Sequence, residues 1–312
     1  MPIKETCLIY GGGGFIGSHL SDSLLEKGYA VTVFDKLNFS KKNILHIIDQ
    51  INIIEGDFNN EIDIKNSLKG IDYIYHFVSS TLPANSNDNP IYDVETNLIS
   101  SLRLFKECLN KKNKKIIFLS SGGTVYGVPE IIPITESHQT NPICSYGIIK
   151  KTIEEYLFMF GKIYGLNYNV FRLSNPYGER QNPLAAQGAI PVFIHRTIND
   201  ETITIWGDGE IVRDYIYIRD SAIVLAESIK NNVEEKIFNL SSGKGYSLNN
   251  IIEIVKKVSG KEVKVEYKPG RDIDVPVNIL DNTLVKETFD WKPETSIEEG
   301  IQLTFNYLMN VK

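Results

Sequence analysis

Two groups of residues in this chain have the types and spacing for chemistry. Tyr146 and Lys150 stand four apart in Tyr146-Gly147-Ile148-Ile149-Lys150. On a helix that is one turn, so the two side chains share a face. A Lys ammonium near a phenol favours the phenolate, which predicts a lowered Tyr146 pKa and an acid/base group near neutral pH. The second group is Tyr10-Gly11-Gly12-Gly13-Gly14-Phe15-Ile16-Gly17, where Gly11, Gly14 and Gly17 have G-x-x-G-x-x-G spacing. Glycine permits a tight turn and close backbone approach to a pyrophosphate. The N-terminus of a helix opening at Phe15-Ile16 would supply free N–H groups and a favourable dipole. Asp35 ends the next expected strand, where an acid accepts hydrogen bonds from adenosine ribose hydroxyls and repels a 2′-phosphate. NAD is therefore the expected cofactor. Asp57, at the end of the third expected strand, either contacts the adenine amine or caps the following helix.

These residues need a frame. Strands are expected at 6–10, 30–35, 51–55, 72–77 and 115–120, rich in Ile, Tyr and Phe, with helices at 15–27 and 94–111 between them. Apolar strands alternating with helices predict an α/β protein with a Rossmann-type doubly wound parallel sheet. A long helix at 145–164 and a strand at 168–173 follow. After about residue 174 the rhythm changes: short strands (203–206, 237–240, 263–267) mix with helices (219–230, 248–259, 297–309). The expected division is an NAD-binding domain, 1–174, and a smaller C-terminal α/β substrate lobe, 175–312. The chain is free to cross between the lobes, and a cleft is expected between them.

The chain has 312 residues, 42% of them hydrophobic, enough for a sizeable core. The formal net charge of -6 argues against a nucleic-acid partner. The densest basic run, 111–115, falls where a helix should end and reads as an ordinary basic C-terminus. Cys7, Cys108 and Cys144 are scattered and odd in number, the usage of a reduced, cytoplasmic protein. No apolar run is long enough to span a membrane and no signal peptide is evident. His19, His46, His138 and His195 show no metal spacing, so no metal is expected. His76 reads as a satisfied residue at a strand end. No base partners Cys144, so it does not read as a nucleophile.

Tyr146 and Lys150 follow Ser120-Ser121-Gly122-Gly123-Thr124-Val125-Tyr126-Gly127. With that segment the chain resembles the extended short-chain dehydrogenase/reductase family, and within it the UDP-glucose 4-epimerase group. The resemblance takes in the glycine loop, His76-Phe77-Val78-Ser79, Asn97 and the Tyr/Lys pair. It continues through Arg172-Leu173-Ser174-Asn175-Pro176-Tyr177-Gly178, Trp206-Gly207-Asp208-Gly209, Val212-Arg213-Asp214-Tyr215, and Arg271 with Asp274. It covers nearly the whole length, and the motifs together are specific for nucleotide-sugar enzymes.

The resemblance implies a 4-epimerase that stays loaded with NAD. Tyr146 takes the proton of the sugar 4-hydroxyl as the C4 hydride leaves for NAD, and the 4-keto sugar turns over before hydride returns to its other face. Lys150 holds the nicotinamide ribose. Phe58, Phe77, Val78, Ser79 and Asn97 line the cofactor. Asn175, Arg213 and Arg271 hold the nucleotide diphosphate, Asp274 contacts a ribose hydroxyl or orients an arginine, and the backbone at Ile205–Trp206 pairs with the base. UDP is the favoured nucleotide. Asn278, four residues after Asp274, would border the C2 substituent and admit an N-acetyl group. One position departs from the family pattern: the usual catalytic Ser or Thr falls on Gly122. Thr124 or Ser121 must then supply the hydroxyl, with Thr124 preferred. Dehydratases and decarboxylases of this kind carry an acid just before Val-Tyr-Gly, where this chain has Gly123 and Thr124. Asp35 disfavours an NADPH-linked ketoreductase, and the intact Tyr146 and Lys150 argue against a non-catalytic dinucleotide-binding protein. An apolar helix at 156–160, with Leu102, Phe105 and Leu109 of the preceding helix, predicts a homodimer through a four-helix contact.

Overall fold

The computed structural model describes residues 4–111, 113–185, 188–229, 233, 236–270 and 275–310. The first half alternates strands and helices: β1 (Thr6–Tyr10), α1 (Phe15–Glu26), β2 (Ala30–Asp35), β3 (Asn52–Glu55), α2 (Glu61–Ser67) and β4 (Tyr73–His76). A short helix α3 (Pro90–Asp93) runs through a π-helical turn (Val94–Ile99) into α4 (Ser100–Lys111). Then come β5 (Lys115–Ser121), α5 (Ser145–Tyr164) and β6 (Tyr168–Leu173). The single helix expected over 94–111 thus begins earlier and contains a widened turn. Such turns are uncommon and often mark functional sites. Asn89 starts α3 by accepting from the Tyr92 N–H at 3.0 Å, with Pro90 in the first turn where its missing donor costs nothing.

The remaining elements are β7 (Asn175–Tyr177), α6 (Ala189–Ile198), β8 (Ile203–Trp206), β9 (Val212–Tyr217), α7 (Ile218–Glu227), β10 (Ile237–Leu240), β11 (Gly245–Ser247), α8 (Leu248–Ser259), β12 (Val265–Lys268), β13 (Val277–Asn278), α9 (Thr283–Phe289) and α10 (Ile297–Asn310). No helix among the described residues is long and apolar enough to cross a membrane.

The large sheet has seven strands in the order β10-β6-β5-β4-β1-β2-β3. It is the doubly wound parallel sheet that the sequence predicts, with strands reversing direction of addition beside β1. One strand differs from expectation. Residues 237–240, grouped by sequence rhythm with the later short strands, form the edge of this sheet, where Val170 N–H donates to Lys236 O at 2.7 Å and Ser174 N–H to Leu240 O at 3.0 Å. Its core side chains include Leu8, Tyr10, Phe34, Ile74, Phe105 and Phe118, with Ile149, Ile153 and Leu157 from α5 packed onto them. α5 ends at Gly165, whose φ of 71° is left-handed.

The chain divides into two compact units. The first comprises residues 1–125, 142–172 and 222–238; the second comprises 126–141, 173–221 and 239–312. Within the second unit, β7, β11 and β13 all pair with β9, and β8 pairs with β12 in a separate two-stranded ladder. Asp214 of β9 is fully buried. Its carboxylate accepts from Ser242 N–H (3.0 Å) and Oγ (2.8 Å), Gly243 N–H (3.1 Å) and Leu280 N–H (3.4 Å), and so ties the 241–243 turn to the sheet. Burial raises its pKa to about 6, against the pull of those bonds.

Candidate active site

In the first unit the glycine loop joins β1 to α1. Gly11 has φ +83° and donates its N–H to Phe34 O at 2.8 Å. A Cβ on Gly17 would collide with the Gly11 carbonyl oxygen and lie 2.6 Å from the Gly12 Cα, so only glycine lets α1 start this close to the loop. Gly14 caps α1 without a side-chain bond, and the first turn, from Phe15 through Ile16 to Gly17, holds no acid. Among the described residues no side chain caps its N–H groups, an arrangement suited to an anion. The backbone of Phe77 and Val78, after β4, passes within ordinary contact distance of where a Gly11 side chain would be. Asp35 ends β2. Its carboxylate accepts from Gly13 N–H at 3.0 Å and Lys36 N–H at 2.9 Å. Burial raises its pKa, and those two bonds oppose the rise. This side-chain-free cradle with an acid at its far edge fits a dinucleotide without a 2′-phosphate.

The other expected cofactor residues divide. Ser79 is exposed, its hydroxyl donating to Thr81 O at 3.0 Å. Asp57 is exposed and accepts from Asn59 N–H at 2.8 Å. The cap of α2 is Asn60 instead, so capping is not the role of Asp57. The Phe58 ring is buried against Tyr10 and His76, which leaves only its backbone to face a ligand. Asn97 is buried, and its amide is consumed within the protein. Its Oδ1 accepts from Ser80 N–H (2.9 Å), and its Nδ2 donates to Ser80 Oγ (2.9 Å) and Asp93 Oδ1 (2.8 Å). His76 is satisfied on one side by Ser101 at 2.7 Å. Burial, helped by the Lys150 charge, holds its pKa down at about 3, so it is neutral.

Tyr146 and Lys150 lie in the first two turns of α5. Lys150 is 5% exposed; its Nζ donates to Leu119 O at 2.9 Å and sits 5.5 Å from the centroid of the Tyr146 ring. Burial lowers the Lys150 pKa to about 8, opposed by Asp93 and Glu154. The expected lowering of Tyr146 is not found. Burial pushes its phenol up, and Cys144 and Asp93 push the same way. The ammonium lies over the ring face and donates to a carbonyl, while burial disfavours the phenolate.

Thr124 packs against the same turn. A Cβ on Gly147 would lie 2.9 Å from Thr124 O and 3.2 Å from Thr124 Cβ. Gly147 is therefore what lets the Tyr146 turn approach this segment, a requirement that sequence spacing does not display. The Thr124 hydroxyl is buried and has no hydrogen-bond partner among the described residues. Ser121 is half-buried at the end of β5, and its carbonyl accepts from Val125 N–H at 3.2 Å. Glu154, one turn beyond Lys150, forms a buried ion pair with Arg172 (2.7 Å) and accepts from Ser120 Oγ (2.5 Å). Asp93, Ser145 and Thr81 also meet here, a buried polar group that no motif announced.

In the second unit, Asn175 Nδ2 donates to Asp214 O at 3.0 Å. Arg213 Nη1 donates to the carbonyls of Val212 (2.9 Å) and Val275 (2.6 Å). Trp206 ends β8 and is 42% exposed. Asn278 is 1% exposed and pairs with Arg213 across β13 and β9. Arg271 and Asp274 lie outside the described residues.

The chain is similar in sequence and fold to known proteins. The chain is 34% identical over 304 residues to the putative UDP-glucose 4-epimerase of Methanocaldococcus jannaschii, covering 97% of this chain and 98% of that protein. The structure superposes with a TM-score of 0.93 on a Thermotoga maritima UDP-glucose 4-epimerase crystallised with UDP-glucose, at 36% identity over 98% and 99% of the two chains. It matches the UDP-N-acetylglucosamine 4-epimerase of Methanobrevibacter ruminantium, in complex with UDP-N-acetylmuramic acid, equally well: TM-score 0.93, 31% identity, 99% and 100% coverage. Residues 7–241, from the strand before the glycine loop to the edge strand of the same sheet, match the NAD dependent epimerase/dehydratase family. With that match over most of its length, the chain belongs to the NAD dependent epimerase/dehydratase family.

Proposed function

We propose that the chain is an NAD-dependent 4-epimerase of a nucleotide-diphosphate sugar, acting through a transient 4-keto sugar. The observation that carries this reading is the Tyr146–Lys150 pair on α5 with the partnerless Thr124 hydroxyl against the same turn. Residues 121–124 include no acid that could move a proton at C5 or C6, which disfavours a dehydratase or decarboxylase.

NAD, held at the glycine loop and by Asp35, supplies reversible hydride acceptance when bound. Tyr146 moves the proton at the sugar 4-oxygen, and the Thr124 hydroxyl orients that oxygen. Lys150 supplies the positive charge beside Tyr146. In the second unit, Asn175, Arg213, Arg271 and Asp274 serve the nucleotide diphosphate, and the strand end at Trp206 serves the base. UDP is the favoured nucleotide, since the similar structures carry UDP-glucose and a UDP-linked amino sugar. Asn278 would border the sugar C2 substituent. Because it is almost wholly buried, Asn278→Ala is a cleaner probe than a bulky replacement, which would strain the sheet. The protein works as a cytoplasmic homodimer in this reading.

The test is incubation with UDP-, TDP- and GDP-linked hexoses and N-acetylhexosamines, followed by NMR. The expected result is interconversion of C4 epimers to equilibrium without net consumption of cofactor. Loss of water or carbon dioxide from the sugar, with no C4 epimer formed, would overturn the reading.

A further inference from the structure

Asp93 is fully buried, yet its carboxylate is bonded by neutral donors: Thr81 Oγ1 at 2.8 Å, Asn97 Nδ2 at 2.8 Å and Ser145 Oγ at 2.6 Å. A buried carboxylate is costly unless a cation answers it, and for folding alone an apolar group of similar size would often serve as well. Its location offers a reason. Ser145 is the first residue of α5 and the neighbour of Tyr146. Its hydroxyl is held by Asp93 and its N–H donates to Asn87 Oδ1 at 2.8 Å, so the start of the helix is gripped at two points by the 87–93 segment. The π-helical turn after Asp93 brings Asn97 back onto the same carboxylate, and Asn97 in turn fixes the backbone of Ser80.

We infer that Asp93 is a positioning residue for the epimerase reaction: it sets the start of the helix that carries Tyr146 and provides the counter-charge to Lys150. This rests on the reading of Tyr146 and Lys150 as the reacting pair.

The groups around Lys150 single out Asp93. From β4, His76 is neutral. From the next turn of α5, Glu154 has its own cation, Arg172, at 2.7 Å. Among the described residues Asp93 is bonded by neutral donors, and its field raises the Lys150 pKa against the lowering by burial. Tyr146 is raised mainly by burial, and the charges of Cys144 and Asp93 push the same way. Both reacting groups therefore shift in one direction when Asp93 loses its charge.

Asp93→Asn and Ser145→Ala in the full-length, NAD-loaded protein separate the two roles. The readouts are turnover against pH and NMR titration of the Lys150 ε-carbon, assigned with Lys150→Met. In Asp93→Asn, the Lys150 midpoint should fall by about one pH unit or more, and the alkaline limb of kcat should move down with it. In Ser145→Ala, kcat should fall by about tenfold with KM unchanged and the Lys150 midpoint in place, because the charge remains. A folded Asp93→Asn protein with the wild-type midpoint and alkaline limb overturns the inference. So does a Ser145→Ala protein with wild-type kcat, a result that counts even if Asp93→Asn does not fold. Wild-type turnover in Tyr146→Phe would instead sink the acid–base reading, while the NMR titration still decides whether Asp93 charges Lys150.

Discussion

The ammonium of Lys150 lies 5.5 Å from the centroid of the Tyr146 ring and donates a hydrogen bond to the Leu119 carbonyl. Its pKa, lowered to about 8 by burial, makes its charge sensitive to mildly alkaline pH. Turnover should fall as pH rises through about 8 and Lys150 loses its proton. Lys150→Arg, which stays charged, should flatten that limb. Tyr146→Phe should fold, bind NAD and lose about a hundred- to ten-thousandfold in kcat. Retention of a tenth or more of kcat would remove Tyr146 from the role of base.

Thr124→Val gives a paired signature. The hydroxyl is buried without a partner, so replacing it by a methyl should leave stability equal or raise it by about 1 kcal/mol. Turnover should nonetheless drop by at least about tenfold, because the sugar oxygen loses its donor. Thermal melts and kcat together test this. Unchanged turnover would pass the role to Ser121, whose Ser121→Ala variant should then carry the loss.

Asp35 should select the cofactor. Its carboxylate is fixed by the Gly13 and Lys36 N–H groups at the end of β2. A 2′-phosphate would meet like charge there. NAD should bind at least about tenfold tighter than NADP, roughly 1.4 kcal/mol by calorimetry on the unloaded protein. Asp35→Asn should narrow the gap; equal affinities in the wild type would refute the assignment.

The helix pair α4–α5 should form the dimer interface. Phe158, Ile163 and Tyr164 are 53%, 63% and 56% exposed, and Leu102, Leu109, Tyr156 and Phe160 are half-buried. Phe105, expected on the same face, is fully buried in the core and plays no part. Light scattering should give twice the chain mass at micromolar concentration, and Phe158→Glu should shift it to one. A wild-type monomer at that concentration would rule the interface out.

Asp214 should leave a pH signature in stability. Its folded pKa is raised to about 6 from an ordinary 3.8, so the folded state holds the proton more tightly. Its contribution is then fully present below about pH 4 and is lost as pH rises through about 6. The difference in unfolding free energy between wild type and Asp214→Asn should therefore change by about 3 kcal/mol across that window and level off above it. A denaturant series in which the difference is constant from pH 4 to 7 would show that the buried carboxylate does not titrate there.

Much of the protein is written locally. The glycine spacing, the strand-ending Asp35 and the i, i+4 pair each depend on a few adjacent residues, and strand and helix periods follow from the pattern of apolar side chains. The boundaries of β1, β2, α5 and α8 agree with those patterns because each element is capped or bounded by its own neighbours, as at Gly165 and in the Ser247–Asn250 capping box. What required tertiary structure are relations between distant segments. The 237–240 strand could not be assigned to the large sheet from its composition, since its pairing with β6 spans some seventy residues of chain. Asp93 looks like any acid near a helix start until Ser145, 52 positions later, is seen to donate to it. Spacing predicts a lowered Tyr146 pKa because it shows the nearby Lys150 but not the burial, nor the neighbouring Cys144 and Asp93, that raise it. Local chemistry specifies which groups are present; only packing sets their dielectric surroundings and their partners, and those decide protonation and orientation.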